Sequence, residues 1–145
     1  MPSTKLKIGF VFDDSLDRND GVQQYVKTIG EWLSKEGHDV CYLVGETKMA
    51  NWQGGKIYSL AKNIQVSFNG NKLSVPLPAS KNQIEKVLSV ENFDVLHVQT
   101  PYSPFMGQKV INLSAGSVAV IGTFHILPVG RLQSLGTRAL RIWCR

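Results

Sequence analysis

The feature that most constrains this chain is a strand–helix–strand succession near its amino terminus. Lys5 to Phe12 (KLKIGFVF) is a β-rich apolar run without in–out alternation, the pattern of a strand covered on both faces. The polar stretch Asp13 to Asp20 (DDSLDRND) is a loop. Asp20, followed three residues later by Gln23, has the form of a capping box opening a helix. Val22, Tyr25, Val26, Ile29 and Leu33 recur along one helical face. Gly37 stands where a left-handed cap would end that helix, and Val40 to Val44 predicts the second strand. Two strands joined through a helix run parallel, and the right-handed crossover rule places that helix on one face of their sheet.

Residues 45–80 are less regular. Ile57 to Leu60 and Ile64 to Phe68 are short strand candidates, and Asn69-Gly70-Asn71 is a turn signal before Lys72 to Val75. This predicts a β-hairpin inserted between the second and third parallel strands. Ser80 with Gln83 again has the capping-box form, opening a helix with Ile84, Val87 and Leu88 on its apolar face. Asp94 to Val98 predicts a strand, Phe105 to Leu113 a helix and Val118 to Phe124 another strand. The alternation specifies an α/β fold, a doubly wound Rossmann-like parallel sheet with a hairpin insertion. Ligands of such sheets bind beyond the carboxyl ends of the strands, which directs attention to residues 13–23, 68–71, 99–104 and 125–131.

Composition narrows the function classes. With 145 residues, 43% of them hydrophobic and 19% charged, the chain reads as one globular domain. Cys41 and Cys144 show no disulfide or zinc spacing and are expected to be reduced thiols. The polar amino terminus and the lack of any stretch near the roughly 20 apolar residues needed to span a bilayer make a cytoplasmic location the expectation. Of the net charge of +5, Arg131, Arg138, Arg141 and Arg145 supply +4, so the basic character belongs to one segment and not to a nucleic-acid-binding surface. Those arginines form one stripe, and Leu132, Leu135, Ala139, Ile142 and Trp143 form the other. Such a helix either lies in an anionic membrane surface, which would make the protein peripheral, or packs on the sheet with its charged face in water.

The turn Asp20-Gly21-Val22-Gln23 brings a glycine to a helix start, where free N–H groups and the helix dipole attract a phosphate. A plain capped helix with Gly21 as a turn residue is the other reading. No G-x-G-x-x-G follows the first strand and no G-x-x-x-x-G-K-[ST] is present, which excludes the common dinucleotide and P-loop sites. Asp13-Asp14 resembles the acidic pair of a receiver domain, but the central strand supplies His97-Val98-Gln99-Thr100 instead of the further carboxylate such a site needs. His125 stands at the carboxyl end of a strand, a functional position. His97 lies inside a strand pattern as a core histidine, and His38 lies in a surface turn.

Taken together, Lys7 to Val11 (KIGFV), Gly21-Val22-Gln23, Trp32 to Val40 (WLSKEGHDV), Phe68-Asn69-Gly70, Phe93 to Val98 (FDVLHV), Pro101 and Gly122 to His125 (GTFH) resemble the N-terminal domain of glycosyltransferase family 4, nearest its phosphatidylinositol mannosyltransferase type. The resemblance covers nearly the whole chain. It implies one of two Rossmann-like domains, here residues 1–145, that binds the acceptor, while a C-terminal domain binds most of the nucleotide sugar. It implies a retaining transfer that needs no bound metal. It places Gly21 and Val22 against a donor or acceptor phosphate, and Asp17, Gln23, Asn69 and Arg131 at acceptor-contacting positions. His125 matches a histidine beside the reacting sugar that helps stabilise its positive charge.

The chain departs from the family pattern where Asp20 replaces the first of two glycines, where Asp14 replaces an aromatic residue, and where Ile126 follows His125 in place of threonine. Nothing in it corresponds to the donor-binding domain with its paired glutamates. A glycosyl transition state needs the leaving diphosphate held and neutralised, so the chain is expected to be a fragment, silent in catalysis by itself. The second reading is a non-catalytic α/β module for a phosphorylated ligand or a partner chain.

Overall fold

The computed structural model describes residues 4–68 and 71–125, the side chains of 65–76 excepted. The elements run β1 (Lys7–Phe12), α1 (Gly21–Lys35), β2 (Asp39–Val44), β3 (Asn51–Trp52), β4 (Gly55–Ser59), β5 (Asn63–Phe68), β6 (Asn71–Pro76), α2 (Lys81–Glu91), β7 (Val95–Gln99), α3 (Gly107–Ser114) and β8 (Ala119–Thr123). Six strands form one sheet in the order β3-β4-β2-β1-β7-β8. All its pairings are parallel except β3 with β4. β5 and β6 pair antiparallel as a separate two-stranded sheet, Phe68 opposite Asn71.

The central strands are buried on both faces, as their apolar runs require. On one face Ile8, Phe10, Phe12, Val40, Tyr42 and Val44 pack with Val26 and, less deeply, Val22, Tyr25, Ile29 and Leu33 of α1. On the other, Val11, Cys41, Leu43, Leu96 and Val98 meet Ile84 and Val87 of α2 and Val110 of α3. The result is a mostly parallel α/β sheet flanked by helices. α1 lies close to it because Gly30 has no side chain: a Cβ there would collide with the Tyr42 hydroxyl, with ring carbons 2.9 Å away.

Helix ends differ from expectation at one terminus and match it at the other. Neither Asp20 nor Ser80 makes a side-chain cap bond. Asp20 instead faces Arg18, Oδ2 to Nε 3.5 Å, and Gln23 is only 2% exposed, so neither residue serves the reciprocal capping box. At the other end Gly37 adopts φ +93°. Its N–H donates to Ser34 O and that of His38 to Leu33 O, the paired bonds of a Schellman cap. Asn92 ends α2 with φ 49° and its N–H on Leu88 O.

β4 is the main topological departure. The candidate strand at Ile57 to Leu60 joins the main sheet, parallel to β2 with Tyr42 opposite Ile57, and β3 folds back on it at the edge. A two-residue strand has no periodicity to betray it, and β4 alternates too briefly to show its partner. At the opposite edge β8 leaves Val120 and Ile121 exposed, and Phe124 just beyond it. Cys41 is a buried free thiol. Among the described residues no helix is long and apolar enough to cross a membrane. Cys144, Asn69, Arg131 and the stripe of Arg138, Arg141 and Arg145 lie outside the described residues.

Candidate functional site

The strand order reverses at β1, whose neighbours β2 and β7 lie on opposite sides. A crevice forms at such a switch point beyond the carboxyl ends, and here it is a cavity of about 220 Å³ lined by Phe12, Asp13, Asp14, Gln99, Thr100 and Ser103 among others. The two acidic residues have structural tasks. Asp13 Oδ1 accepts the N–H of Gly107 at 3.0 Å, capping α3 from a distant part of the chain. Burial raises the Asp13 carboxyl above its ordinary range, against the opposing hydrogen bonds from Ser103, Gly107 and Met106. Asp14 pairs with Arg18 and accepts from Asn63 Nδ2 at 3.1 Å and Ser15 N at 2.7 Å.

Asp17 is also engaged. Its carboxylate accepts from Thr47 Oγ1 at 2.6 Å and from Lys48 N at 3.1 Å. Burial opposes the charge, but these bonds outweigh it and hold the carboxyl below its usual range. The first loop is therefore tied to the segment after β2, and the Asp17 side chain holds that tie.

The loop delivers the start of α1. The first helical bond runs from Gln24 N to Asp20 O at 2.9 Å, which leaves the N–H groups of Gly21, Val22 and Gln23 without helical acceptors. Gly21 is exposed, has no left-handed φ, and a Cβ built on it meets nothing within 4 Å. Neither turn geometry nor any neighbour among the described residues requires glycine there. Val22 turns its side chain to the core formed with β1 and β2. Gln23 is buried.

His125 lies beside this helix start. Tyr25, one turn beyond Gly21, packs edge-on against the His125 ring with centroids 5.1 Å apart. Tyr25 also meets His97 at 6.1 Å, and Phe10 packs on His97 at 5.1 Å. His97 Nε2 is 2.7 Å from Thr123 Oγ1, the satisfied hydrogen bond expected of a core histidine. Burial first, and the neighbouring His125 second, lower its pKa. His125 Nε2 is 2.6 Å from Oε1 of Gln99, the last residue of β7.

The structure thus brings His125, Gly21, Val22 and Gln23 to one edge of the sheet, with Asp17 directed toward Thr47 and Lys48. The sequence places Gln99 in the strand-end stretch 99–104 and Tyr25 on the apolar face of α1, but it gives neither a role at the site. Gln99 ends a strand at the ligand-binding edge, a signal that existed, but its partner is set by strand register. Thr100 follows it with φ 57°, a left-handed conformation that costs a β-branched residue energy and gathers at functional sites. Among the described residues no three His, Cys, Asp or Glu side chains are grouped to hold a metal ion.

The sequence profile described as Glycosyltransferase Family 4 matches residues 19–145. Among curated proteins the chain is similar to the phosphatidyl-myo-inositol mannosyltransferase of Propionibacterium freudenreichii, 30% identical over 132 residues that cover 83% of this chain and 33% of that protein. The enzyme of the same name from Mycolicibacterium smegmatis is 28% identical over 124 residues, 83% of this chain and 31% of its own. That from Mycobacterium leprae is 25% identical over 140 residues, 95% of this chain and 37% of its own. The chain spans about a third of the length of the curated relatives it matches.

Proposed function

This chain belongs to glycosyltransferase family 4, and from that premise we propose that it is the acceptor-side half of a retaining, nucleotide-sugar-dependent mannosyltransferase with a phosphorylated inositol acceptor. The half is a doubly wound Rossmann-like domain with a hairpin insertion, and it works together with a donor-binding domain. The observation that carries the reading is the open start of α1. Three amides without an acceptor among the described residues, and a glycine that no described neighbour requires, leave room for a phosphate against the backbone.

On this reading Gly21 and Val22 hold the phosphate through their N–H groups, and the positive end of the α1 dipole favours its charge. His125, held beside Tyr25, faces the sugar at which positive charge develops. Gln23, Asn69 and Arg131 contact the acceptor, and Asp17 acts by holding the loop that shapes the site. The arginine stripe meets an anionic membrane surface, where a lipid-linked acceptor would lie. Without the donor-side groups the leaving diphosphate is not neutralised, so the chain alone transfers no sugar.

The test is calorimetric titration of the 145-residue chain with myo-inositol 1-phosphate, repeated with Gly21→Val. Binding weakened about tenfold by the substitution, with urea unfolding unchanged, is the expected result, one lost phosphate contact of about 1.4 kcal/mol. Equal binding by both proteins would remove the phosphate role of Gly21. Failure to bind the probe would favour a module that serves a partner chain. Mannose transfer to phosphatidylinositol vesicles by the isolated chain would overturn its inactivity.

A further inference from the structure

Which nitrogen of His125 serves a ligand is decided by Gln99. That side chain is 1% exposed, and each end of its amide has a partner. Its Nε2 donates to the main-chain carbonyl of His97 at 3.3 Å, and its Oε1 lies 2.6 Å from His125 Nε2. An amide oxygen only accepts and an amide nitrogen only donates. The His97 carbonyl also only accepts, so the opposite amide orientation would set oxygen against oxygen inside a buried site. The NH₂ group must therefore face His97 and the oxygen must face His125. An accepting oxygen at 2.6 Å then requires the proton on His125 Nε2.

We propose that Gln99 is a positioning residue that holds His125 in its Nε2–H tautomer and leaves Nδ1 as the accepting atom. The surroundings keep the amide in place. β7 and β8 are in register with Gln99 opposite Thr123, Thr123 holds His97 by its imidazole, and the Tyr25 ring packs edge-on against His125.

The tautomer selects a ligand class. A neutral imidazole with its lone pair on Nδ1 accepts a hydrogen bond and gives none there. The group that meets it must be a donor, such as a sugar hydroxyl, while a phosphate oxygen is directed to the amides of Gly21 and Val22. The assignment of a sugar to that hydroxyl rests on the glycosyltransferase reading, whereas the tautomer stands on the geometry alone.

The experiment is long-range ¹H–¹⁵N correlation spectroscopy of the histidine rings in the full 145-residue chain at pH 8, for the parent and for Gln99→Glu and Gln99→Leu. The parent should show His125 as Nε2–H with an observable ring proton. Gln99→Glu, whose carboxyl in the protonated form donates to the His97 carbonyl and accepts from Nε2 through its other oxygen, should keep that pattern. Gln99→Leu should speed exchange of the proton with water about tenfold, the loss of one hydrogen bond, while the His97 signals stay in place. An Nδ1–H pattern in the parent would overturn the proposal, as would equal exchange in the parent and the leucine protein. If Gln99→Leu does not fold, the parent pattern and its retention in Gln99→Glu decide. No substrate is used, so failure here leaves the glycosyltransferase reading intact, and failed sugar or inositol phosphate binding leaves the tautomer intact.

Discussion

The carboxylate of Glu91, the last residue of α2, closes on the ammonium of Lys7, the first residue of β1. The pair sits at the amino-terminal edge of the sheet, the end away from the candidate site. Glu91 also accepts from Tyr58 and from Lys56, at 3.3 Å for the latter, and Cys41 Sγ lies 3.6 Å away. The residue is 4% exposed, and no charge is left at such depth without partners of this kind. The pair joins β1 to the helix that crosses to β7 and braces the sheet from below.

Glu91→Gln should lower the unfolding free energy by about 2 kcal/mol at pH 7. This is less than the roughly 3–5 kcal/mol for breaking a fully enclosed pair, because the Lys56 side chain is 68% and that of Lys7 24% exposed. Burial alone would raise the Glu91 carboxyl, but hydrogen bonds from Lys7, Tyr58 and Lys56 reverse this and hold it at about 2 against an ordinary 4.5. A group with a depressed folded pKa contributes stability above its unfolded value and loses it as pH falls toward the folded one. Urea unfolding of the parent should therefore weaken from about pH 4.5 down to 2, and Glu91→Gln should lack that component.

His97 makes the opposite charge choice. Its burial, with His125 nearby, lowers its pKa from an ordinary 6.5, so the unfolded chain binds a proton more readily than the folded one. The stability held by neutral His97 is complete above pH 6.5 and declines as pH falls below it. His97→Gln, which keeps hydrogen-bonding capacity toward Thr123 but does not titrate, should flatten the urea midpoint between pH 7 and 5.5 relative to the parent.

Gly30 and Tyr42 test the closeness of α1 to the sheet. Gly30→Ala should cost about 1–3 kcal/mol, the range for overpacking a filled core, because the new Cβ meets the Tyr42 hydroxyl and ring. That hydroxyl is buried without a hydrogen-bond partner among the described residues. Tyr42→Phe alone should then be neutral or stabilising, and in the double variant it should recover part of the loss. Additive effects in a double-mutant cycle of urea unfolding would show that the two sites do not touch.

Thr100 offers a gain instead. It is exposed and holds φ 57°, where asparagine is tolerated and a β-branched residue is strained. Thr100→Asn should raise stability by about 0.5–1 kcal/mol. A fall in stability on thermal unfolding would mean that the threonine methyl or hydroxyl makes a compensating contact.

Local chemistry made much of the fold legible. The unbroken apolar runs at β1, β2 and β7, the helical stripe of Val22 to Leu33 and the cap at Gly37 all depend on neighbours within a few residues, and each element forms where its pattern lies. Capping boxes were the weak point, since a serine or aspartate before a helix can as easily face Arg18 or solvent as an amide. At the candidate site the strand-end rule points to His125 and the Gly21 turn, whereas the acidic pair Asp13-Asp14 has no task readable in the sequence, because the α3 terminus that Asp13 caps lies far along the chain.

Periodicity and turn chemistry are local properties, so the sequence alone shows the strands β1, β2, β7 and β8, the three helices and a mostly parallel sheet, and it directs attention to that sheet's carboxyl edge. Long-range packing sets the rest: β4 lies beside β2, Asp13 caps α3, Lys7 meets Glu91 and Gln99 meets His125. Those pairs join residues far apart along the chain, and they come together only when crossovers and strand register bring distant segments within a few ångströms.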